Sequence, residues 1–459
     1  MSSKSILSKK DTKFRDFALT GNMWSVVLYV CTPLALYQSL NQLFKIFDSM
    51  MAAHISASSV SAVAYLSQLN LMLSALGSGL AIGASIKISA AYGAGDYLLV
   101  KKRVSTLFAL CFLLGGGLLL LLVPFAPQFL RLAKTPERFI EEGTQYFILE
   151  LFALVISFFN NIYIAVERAR GNSRRILFLN FGVILVKLSL TALFIYGFHG
   201  NINSIAIATI LSQSMLFIAA ILHMSKKGNA FSFSLSHISF DRETTLPMLT
   251  LSFPVVIEKM AFSMGKTVIN SMSTVYNDLT VGALGISNNI GGITTCPQNG
   301  FQEGGSAIIS QNLGAGKPER ALKAFQCILV FNILIGLLLM SLSLLFVKQI
   351  TGLFSGSDTV FQNMIISIYT MEALGAVPLG IHSATMGLLY GFGKTRITLI
   401  LNFARVFIFR IPVLWFLQQF TSFGSSSVGI VMAVSNIATG LAAGLVAIYQ
   451  VKKIKAAIK

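Results

Sequence analysis

The feature that most constrains the fold is a repeat of about half the chain length. Residues 79–103 join an apolar segment to a Gly-Ala-Gly turn and a basic cluster, and residues 300–323 repeat that construction. An offset of 221 residues superposes the two Gly-Ala-Gly turns and also places Pro33 on Pro254. A repeat that holds across landmarks this far apart indicates a chain built from two homologous halves.

The composition places both halves in a membrane. The 459 residues are 54% hydrophobic and only 11% charged, with a mean hydropathy of +0.74, whereas a soluble chain carries roughly 25% charged residues. A net charge of +18 could suggest nucleic acid, but the basic residues lie in short loops between apolar segments. That placement is typical of cytoplasmic loops in membrane proteins. The sequence therefore predicts a polytopic membrane protein that binds no nucleic acid.

Apolar segments long enough to cross a bilayer, which takes about 20 residues, recur through the chain. The predicted fold class is an all-α membrane protein with twelve transmembrane helices. In spans 2 and 8, glycines predict close contacts with neighbouring helices, because small residues let two helix backbones approach. The predicted spans are 23–49, 60–91, 104–126, 141–167, 176–197, 203–224, 247–274, 281–311, 324–347, 362–391, 397–419 and 428–451.

The domain organisation follows from the repeat and from the loop charges. We predict an N-terminal six-helix lobe over 1–224, a cytoplasmic linker over 225–246 and a C-terminal six-helix lobe over 247–459. The two termini and the even-numbered loops carry 24 Lys and Arg residues, against four in the odd-numbered loops. Both termini are therefore expected in the cytoplasm. Because six spans is an even number, the two bundles run in parallel and share a pseudo-two-fold axis along the membrane normal.

Charged residues inside the predicted spans are candidates for the functional site, since each costs about 2.5–3.5 kcal/mol at the bilayer centre. Glu150 in span 4 and Glu372 in span 10 are 222 residues apart and lie at similar depths. Lys187 in span 5 and Arg410 in span 11 lie at a similar depth below their span ends. We predict one buried pair in each lobe. Such pairs either neutralise each other and fix helix packing, or line a cavity that binds substrate or a coupling ion.

Asp48 in span 1 is a separate candidate. Lys45 lies three residues earlier on nearly the same helical face, so a local ion pair is one interpretation. The other is that a carboxylate in a low-dielectric cavity takes up a proton, or coordinates a cation, near neutral pH.

These residues carry a resemblance to a known family. The duplicated Gly-Ala-Gly loop after spans 2 and 8 and the prolines of spans 1 and 7 are similar to the multidrug and toxic compound extrusion (MATE) family. So are 205–209, Ile-Ala-Ile-Ala-Thr, at the start of span 6 and the Gly-Lys-Thr-Arg turn at 393–396. The resemblance covers essentially the whole chain. It implies two six-helix bundles and export driven by inward sodium or proton flow, with Asp48 at the position of the span-1 aspartate.

Span 5 departs from the family pattern. The family often shows Asn-x-x-Leu-Asp-Pro there, but this chain has Lys187 at the asparagine position and Thr191 at the aspartate position. An ammonium near Asp48 can occupy the space of a bound cation, which argues against a sodium site in the first lobe. Proton coupling through Asp48 held by Lys187 remains, with Pro33 and Pro254 as helix hinges. Coupling through Glu258 or Glu372 in the second lobe is the alternative.

The predicted function is secondary active efflux of small organic, amphipathic compounds by alternating access. It is coupled to inward proton or sodium flow, without cofactor or metal, in a monomer of the bacterial inner membrane. A lipid-linked oligosaccharide flippase of the same superfamily is the competing hypothesis, because such proteins also place cations in a central cavity. A membrane enzyme is the remote one, since the five histidines are scattered and none has a ligand-spaced partner.

Overall fold

The computed structural model describes residues 7–52, 57–133, 135, 137–225, 229–355 and 358–458, and in these ranges the regular structure is helical. A π-helical turn (Leu193–Gly197) extends α7, and a 3-10 turn (Leu235–His237) precedes α9. The helices are α1 (Lys9–Thr20), α2 (Met23–Ala52), α3 (Ala57–Ala94), α4 (Tyr97–Leu122), α5 (Ala126–Leu132), α6 (Glu137–Ala169), α7 (Ser173–Ala192), α8 (Ile202–Met224), α9 (Arg242–Ser273), α10 (Asp278–Gly314), α11 (Pro318–Leu345), α12 (Val347–Ser355), α13 (Thr359–Ala373), α14 (Ala376–Gly391), α15 (Thr395–Phe407), α16 (Ile411–Phe420) and α17 (Ser426–Ile458).

The helices account for the predicted spans. Within the described residues, 10 helical segments are long and apolar enough to cross a membrane, and α13 with α14 forms an eleventh that bends by 49°. Helix α10 coincides with predicted span 8 and has 37 residues, but polar side chains such as Asn288, Gln298 and Glu303 lower its hydropathy. The all-α membrane fold is thus confirmed.

Packing divides the chain into two compact units. Unit 1 comprises Met1–Asp16 and Leu43–Val256, and unit 2 comprises Phe17–Gln42 and Ile257–Lys459. This division cuts α1, α2 and α9 partway along, whereas the predicted lobes follow the sequence repeat. The lobe boundaries 1–224 and 247–459 therefore stay a prediction, as does the role of the intervening linker.

In unit 1, two glycines of α3 bring its backbone against the first part of α9. A Cβ atom added at Gly83 would lie 2.4 Å from the backbone N of Ser252. One added at Gly79 would lie 2.6 Å from the side chain and 2.8 Å from the backbone of Val256. The close approach also brings the Leu80 carbonyl within 3.2 Å of the Ser252 hydroxyl, which has the Met248 carbonyl of its own helix as another acceptor at 2.9 Å. Only glycine fits at this helix crossing.

Unit 2 contains the equivalent crossing between α10 and the first part of α2. A Cβ at Gly300 would lie 2.4 Å from the backbone N of Ala35, and one at Gly304 would lie 2.7 Å from the Cys31 sulfur. The 221-residue offset maps these contacts onto those of unit 1, pair by pair. Each unit therefore packs the second span of one repeat against the first span of the other. These are the close approaches that the glycines of spans 2 and 8 predicted.

The first part of α1, through Asp16, is anchored in unit 1 by a buried ionic cluster. Asp11 is only 1% exposed, and the Arg170 guanidinium donates to both its carboxylate oxygens, at 3.1 and 2.9 Å. Arg170 also pairs with the fully buried Glu167 at 3.0 Å. Burial lowers the pKa of Arg170, but the two carboxylates outweigh it, so the pKa is raised overall. The first turn of α1 is thereby fixed on the loop between α6 and α7.

The predicted linker 225–246 also packs on unit 1. The Ser234 backbone N–H donates to the Ser105 hydroxyl at 3.1 Å, and Thr106 exchanges hydrogen bonds with the backbone of Ser239 at 3.0 Å. Phe231 is buried against the ring of Tyr92. This connection therefore contributes side chains and backbone to the core of unit 1, and its last residues belong to α9.

Candidate functional site

Among the predicted site residues whose side chains the structure describes, Glu258 on α9 has the most completely enclosed carboxyl group. It is 5% exposed and accepts hydrogen bonds from three side chains of unit 2. The Tyr390 hydroxyl donates to Oε1 at 2.6 Å, and the Asn402 amide donates to the same oxygen at 2.7 Å. The Thr398 hydroxyl lies 2.7 Å from Oε2. Each carboxyl oxygen is therefore bonded, as a buried charged or polar group requires.

The local sequence explains how these donors converge. Thr398 and Asn402 are four residues apart on α15, so their side chains lie on the same face of the helix, one turn apart. Tyr390 is in the last turn of α14, next to a turn in which Gly393 has a φ of 69°. Such a left-handed conformation favours glycine. This tight turn joins α14 to α15 and brings both helices to Glu258.

The Thr398 hydroxyl has a second acceptor, the Thr395 carbonyl at 2.8 Å. A hydroxyl carries one proton, so it donates to only one of the two acceptors. When Glu258 is ionised, Thr398 donates to the carboxylate. When Glu258 is protonated, its own O–H donates to Thr398, and Thr398 donates to the Thr395 carbonyl. The arrangement thus provides a hydrogen-bonded partner for the carboxyl group in both of its charge states.

Glu372 on α13 forms a second carboxyl site in the same unit. The Ser287 hydroxyl of α10 donates to its Oε2. Gly291, one turn further along α10, leaves room for the carboxyl, because a Cβ there would lie 3.0 Å from Oε1. Glu372 is half-buried.

Two arginines meet near Glu372, but their hydrogen-bond acceptors are neutral. Arg405 and Arg410 both donate to the Asn436 side-chain oxygen, each at 3.1 Å, and Arg410 also donates to the Ser435 hydroxyl at 3.1 Å. Arg405 and Arg410 are within electrostatic range of Glu372. Within the described part of the chain, however, no direct ion pair joins Glu372 to either arginine. The direct pair predicted from equal depth is therefore wrong, because depth fixes position along the membrane normal and not around a helix.

An aromatic ring of α9 contacts both Arg405 and a lysine. Phe262 is one turn beyond Glu258, and Lys266 is one turn further. The Lys266 ammonium lies 5.2 Å and the Arg405 guanidinium carbon 5.3 Å from the Phe262 ring centroid. Both distances are those of cation–π contacts.

The predicted residues of unit 1 are less defined by the structure. Glu150 accepts a hydrogen bond from the Asn70 amide at 3.3 Å, and its pairing with Lys187 stays a prediction. Asp48 belongs to α2, but its side chain lies outside the described residues. Of the predicted hinges, Pro254 lies in the part of α9 that belongs to unit 1 and Pro33 in the part of α2 that belongs to unit 2, and their role stays a prediction.

The sequence did not reveal the neutral residues that hydrogen-bond to Glu258 and to the two arginines of unit 2. Tyr390, Thr398, Asn402 and Asn436 are common residue types without a motif. The one available signal was polar residues four apart on span 11, an apolar segment, because such a pair needs a partner inside the membrane. In the part of the chain that the structure describes, no three His, Cys, Asp or Glu side chains are grouped to hold a metal ion.

A polytopic, internally repeated helical protein with ionisable groups buried among its spans belongs to the class of membrane transporters. The comparison with protein families agrees. The MatE family model matches residues 33–193 and 254–416, one match for each half. The chain belongs to the MATE family of transporters, which are not enzymes.

Known relatives and solved structures agree with this assignment. The chain is 24% identical over 341 residues to the probable multidrug resistance protein YoeA of Bacillus subtilis (strain 168), which covers 72% of this chain and 74% of the relative. It is 21% identical over 382 residues to the FAD transporter of Shewanella oneidensis, covering 81% and 82%. A structure described as the outward-facing conformation of a multidrug resistance MATE family transporter superposes with a TM-score of 0.90 at 19% identity, covering 98% and 99%. The flippase hypothesis is not favoured.

Proposed function

We propose that this transporter exports small organic compounds by alternating access and that inward proton flow through Glu258 drives the export. The observation that carries the proposal is the arrangement of Tyr390, Asn402 and Thr398 around the carboxyl group, which bonds it in both charge states. A group that cycles between those states during transport needs such partners, because an unbonded charge in the membrane is costly. The multidrug resistance relatives support an organic substrate.

Sodium coupling is the alternative at the same group. Three donors already occupy lone pairs of the Glu258 carboxyl that a hard cation would use as ligands. A sodium ion would therefore have to displace some of these hydrogen bonds. A proton leaves the bonds from Tyr390 and Asn402 in place and only reverses the direction of the bond with Thr398. This comparison favours the proton.

Asp48 with Lys187 remains the second candidate for coupling, motivated by the family position of Asp48. In that proposal, Lys187 holds ionised Asp48, and protonation from the outer side releases it and lets α2 bend near Pro33. We further propose that the protein is a monomer of the bacterial inner membrane with both termini in the cytoplasm, as the loop charges indicate.

The test is ethidium transport by the purified full-length protein in liposomes. We expect a pH gradient to drive uphill export and a sodium gradient at constant pH to have no effect. Glu258→Gln keeps the hydrogen-bonding shape but cannot exchange a proton, so uphill export should stop while downhill ethidium exchange persists. Glu319→Gln is the matched control, since Glu319 lies exposed at the start of α11, and its transport should equal that of the wild type.

Other outcomes separate the candidates. Full uphill export by Glu258→Gln would remove Glu258 from the mechanism. If Asp48→Asn then abolished export, coupling would move to the first lobe. A requirement for sodium at constant pH would replace the proton as the coupling ion.

A further inference from the structure

We propose that Arg405, Arg410 and Lys266 form a subsite for the oxyanion of an amphipathic substrate, such as a carboxylate or a phosphate attached to an aromatic body. This inference rests on the proposed export function and names the substrate class. It assigns an anion-binding role to residues of α9, α15 and the turn before α16.

The first argument is the charge balance of the cluster. Among the described residues, Arg405 and Arg410 lie within electrostatic range of one carboxylate, Glu372, which accepts a hydrogen bond from Ser287 and forms no direct ion pair with either arginine. Buried guanidinium groups are normally matched by carboxylates or phosphates, because neutral partners leave the charge uncompensated. Here Arg405 and Arg410 share a single amide oxygen. The cluster therefore has an excess of positive charge that an anion would balance.

The second argument is the presence of unused donors. Arg405 Nε is buried without a hydrogen-bond partner, and so is the side-chain nitrogen of Asn436. Asn436 is only 1% exposed, so leaving its N–H groups unbonded costs about 1–3 kcal/mol. Both groups only donate, which makes an oxyanion the complementary ligand.

The third argument is access from the surface of the unit. Arg405 is half-buried and the Lys266 side chain is exposed, whereas Arg410 and Asn436 are buried. The Phe262 ring contacts both Lys266 and Arg405. Cations beside aromatic rings suit a ligand with a charged end and an apolar end.

The site also lies close to the proposed proton-carrying group. Asn402, which donates to Glu258, is three residues before Arg405 on α15, and Phe262 is four residues after Glu258 on α9. Residues at these spacings are neighbours on a helix. A bound anion and the charge of Glu258 are therefore one helical turn apart, a distance at which they interact strongly in a low-dielectric environment.

The experiment compares ligands that differ in one phosphate. Binding of riboflavin 5′-phosphate, riboflavin and ethidium to the detergent-purified full-length protein is measured by fluorescence. We expect riboflavin 5′-phosphate to bind about tenfold or more tightly than riboflavin, the scale of one charge-assisted hydrogen bond. Equal affinity for these two flavins would overturn the proposal.

Two variants test the residues. Arg405→Gln should reduce the affinity for the phosphate-bearing flavin to that for riboflavin, whereas Arg396→Gln, an exposed position at the other end of α15, should leave it unchanged. Asn436→Asp places a carboxylate between the two arginines and should abolish the preference without unfolding the protein. Asn436→Asp therefore tests the subsite even if Arg405→Gln fails to fold. Retention of the preference in Asn436→Asp would overturn the proposal.

The same preparations separate this inference from the proposed function. Proton-driven ethidium export without any preference for the phosphate would refute the anion subsite alone. A clear phosphate preference in a protein that shows no gradient-driven export of either ethidium or riboflavin 5′-phosphate would refute the export function and leave the subsite.

Discussion

Replacing Gly83 by alanine should destabilise unit 1 because the new methyl group meets backbone. The added Cβ would lie 2.4 Å from the Ser252 backbone N and Cα, whereas ordinary contacts between such atoms are about 3.5–4.0 Å. Helices α3 and α9 would have to separate by about 1 Å, and overpacking of this kind costs about 1–3 kcal/mol. The separation moves the Leu80 carbonyl away from the Ser252 hydroxyl, but this hydroxyl keeps the Met248 carbonyl of its own helix as an acceptor at 2.9 Å, so overpacking accounts for the expected loss.

Gly116 provides the matched control, because a Cβ at this position of α4 has no atom within 4 Å. Alanine there should be neutral or stabilise the helix by up to about 1 kcal/mol. The repeat supplies a second comparison. Gly300→Ala meets the Ala35 backbone at 2.4 Å and should resemble Gly83→Ala, whereas Gly304→Ala meets mainly the Cys31 side chain at 2.7 Å and should cost less.

The measurement is the thermal unfolding of each purified variant in detergent. The melting temperature should fall in the order Gly116→Ala, Gly304→Ala, then Gly300→Ala with Gly83→Ala, at about 2–4 °C for each kcal/mol. A Gly83→Ala protein as stable as Gly116→Ala would show that the helices do not approach as closely as the structure indicates.

Two further changes test other contacts. Asp11→Asn should lower the free energy of unfolding by about 1.5–3 kcal/mol, because Arg170 loses one carboxylate partner but keeps Glu167. Hydrogen exchange should then be faster at the backbone amides of residues 9–20, and an unchanged exchange rate would contradict the prediction. Gly291→Ala should displace the Glu372 carboxyl group, since the new Cβ lies 3.0 Å from Oε1, and should slow ethidium export several-fold. Gly285→Ala is the control, because a Cβ there meets no atom within 4 Å, and its export rate should equal that of the wild type.

The sequence was sufficient for the membrane class, the internal repeat and most of the predicted spans, since 10 or 11 described helical segments are long and apolar enough to cross a membrane. Hydropathy is a local property that is summed along one segment, and the repeat is visible as identical landmarks at a fixed offset. The glycines of spans 2 and 8 likewise predicted close helix contacts, because a missing side chain has the same consequence whichever helix approaches.

The partners of those glycines were decided by the tertiary structure. Gly79 and Gly83 of the first repeat contact α9, which begins the second repeat, and Gly300 contacts α2, which begins the first. The offset alone relates equivalent positions and does not say which copy of a helix packs against which. Whether the second span of a repeat packs on the first span of its own repeat or of the other repeat, the hydropathy and the glycine spacing of each segment are the same. The sequence therefore does not distinguish the two arrangements.

The site shows the same limit. Burial of Glu258, Glu372 and Arg410 among the spans was predictable, since each is a charged residue in an apolar segment. Their hydrogen-bond partners were not, because a hydrogen bond is short and directional, while the sequence fixes only depth and helical face. Glu258 is bonded by residues 132 to 144 positions away. Only the packing of α9, α14 and α15 brings those residues to the carboxyl group.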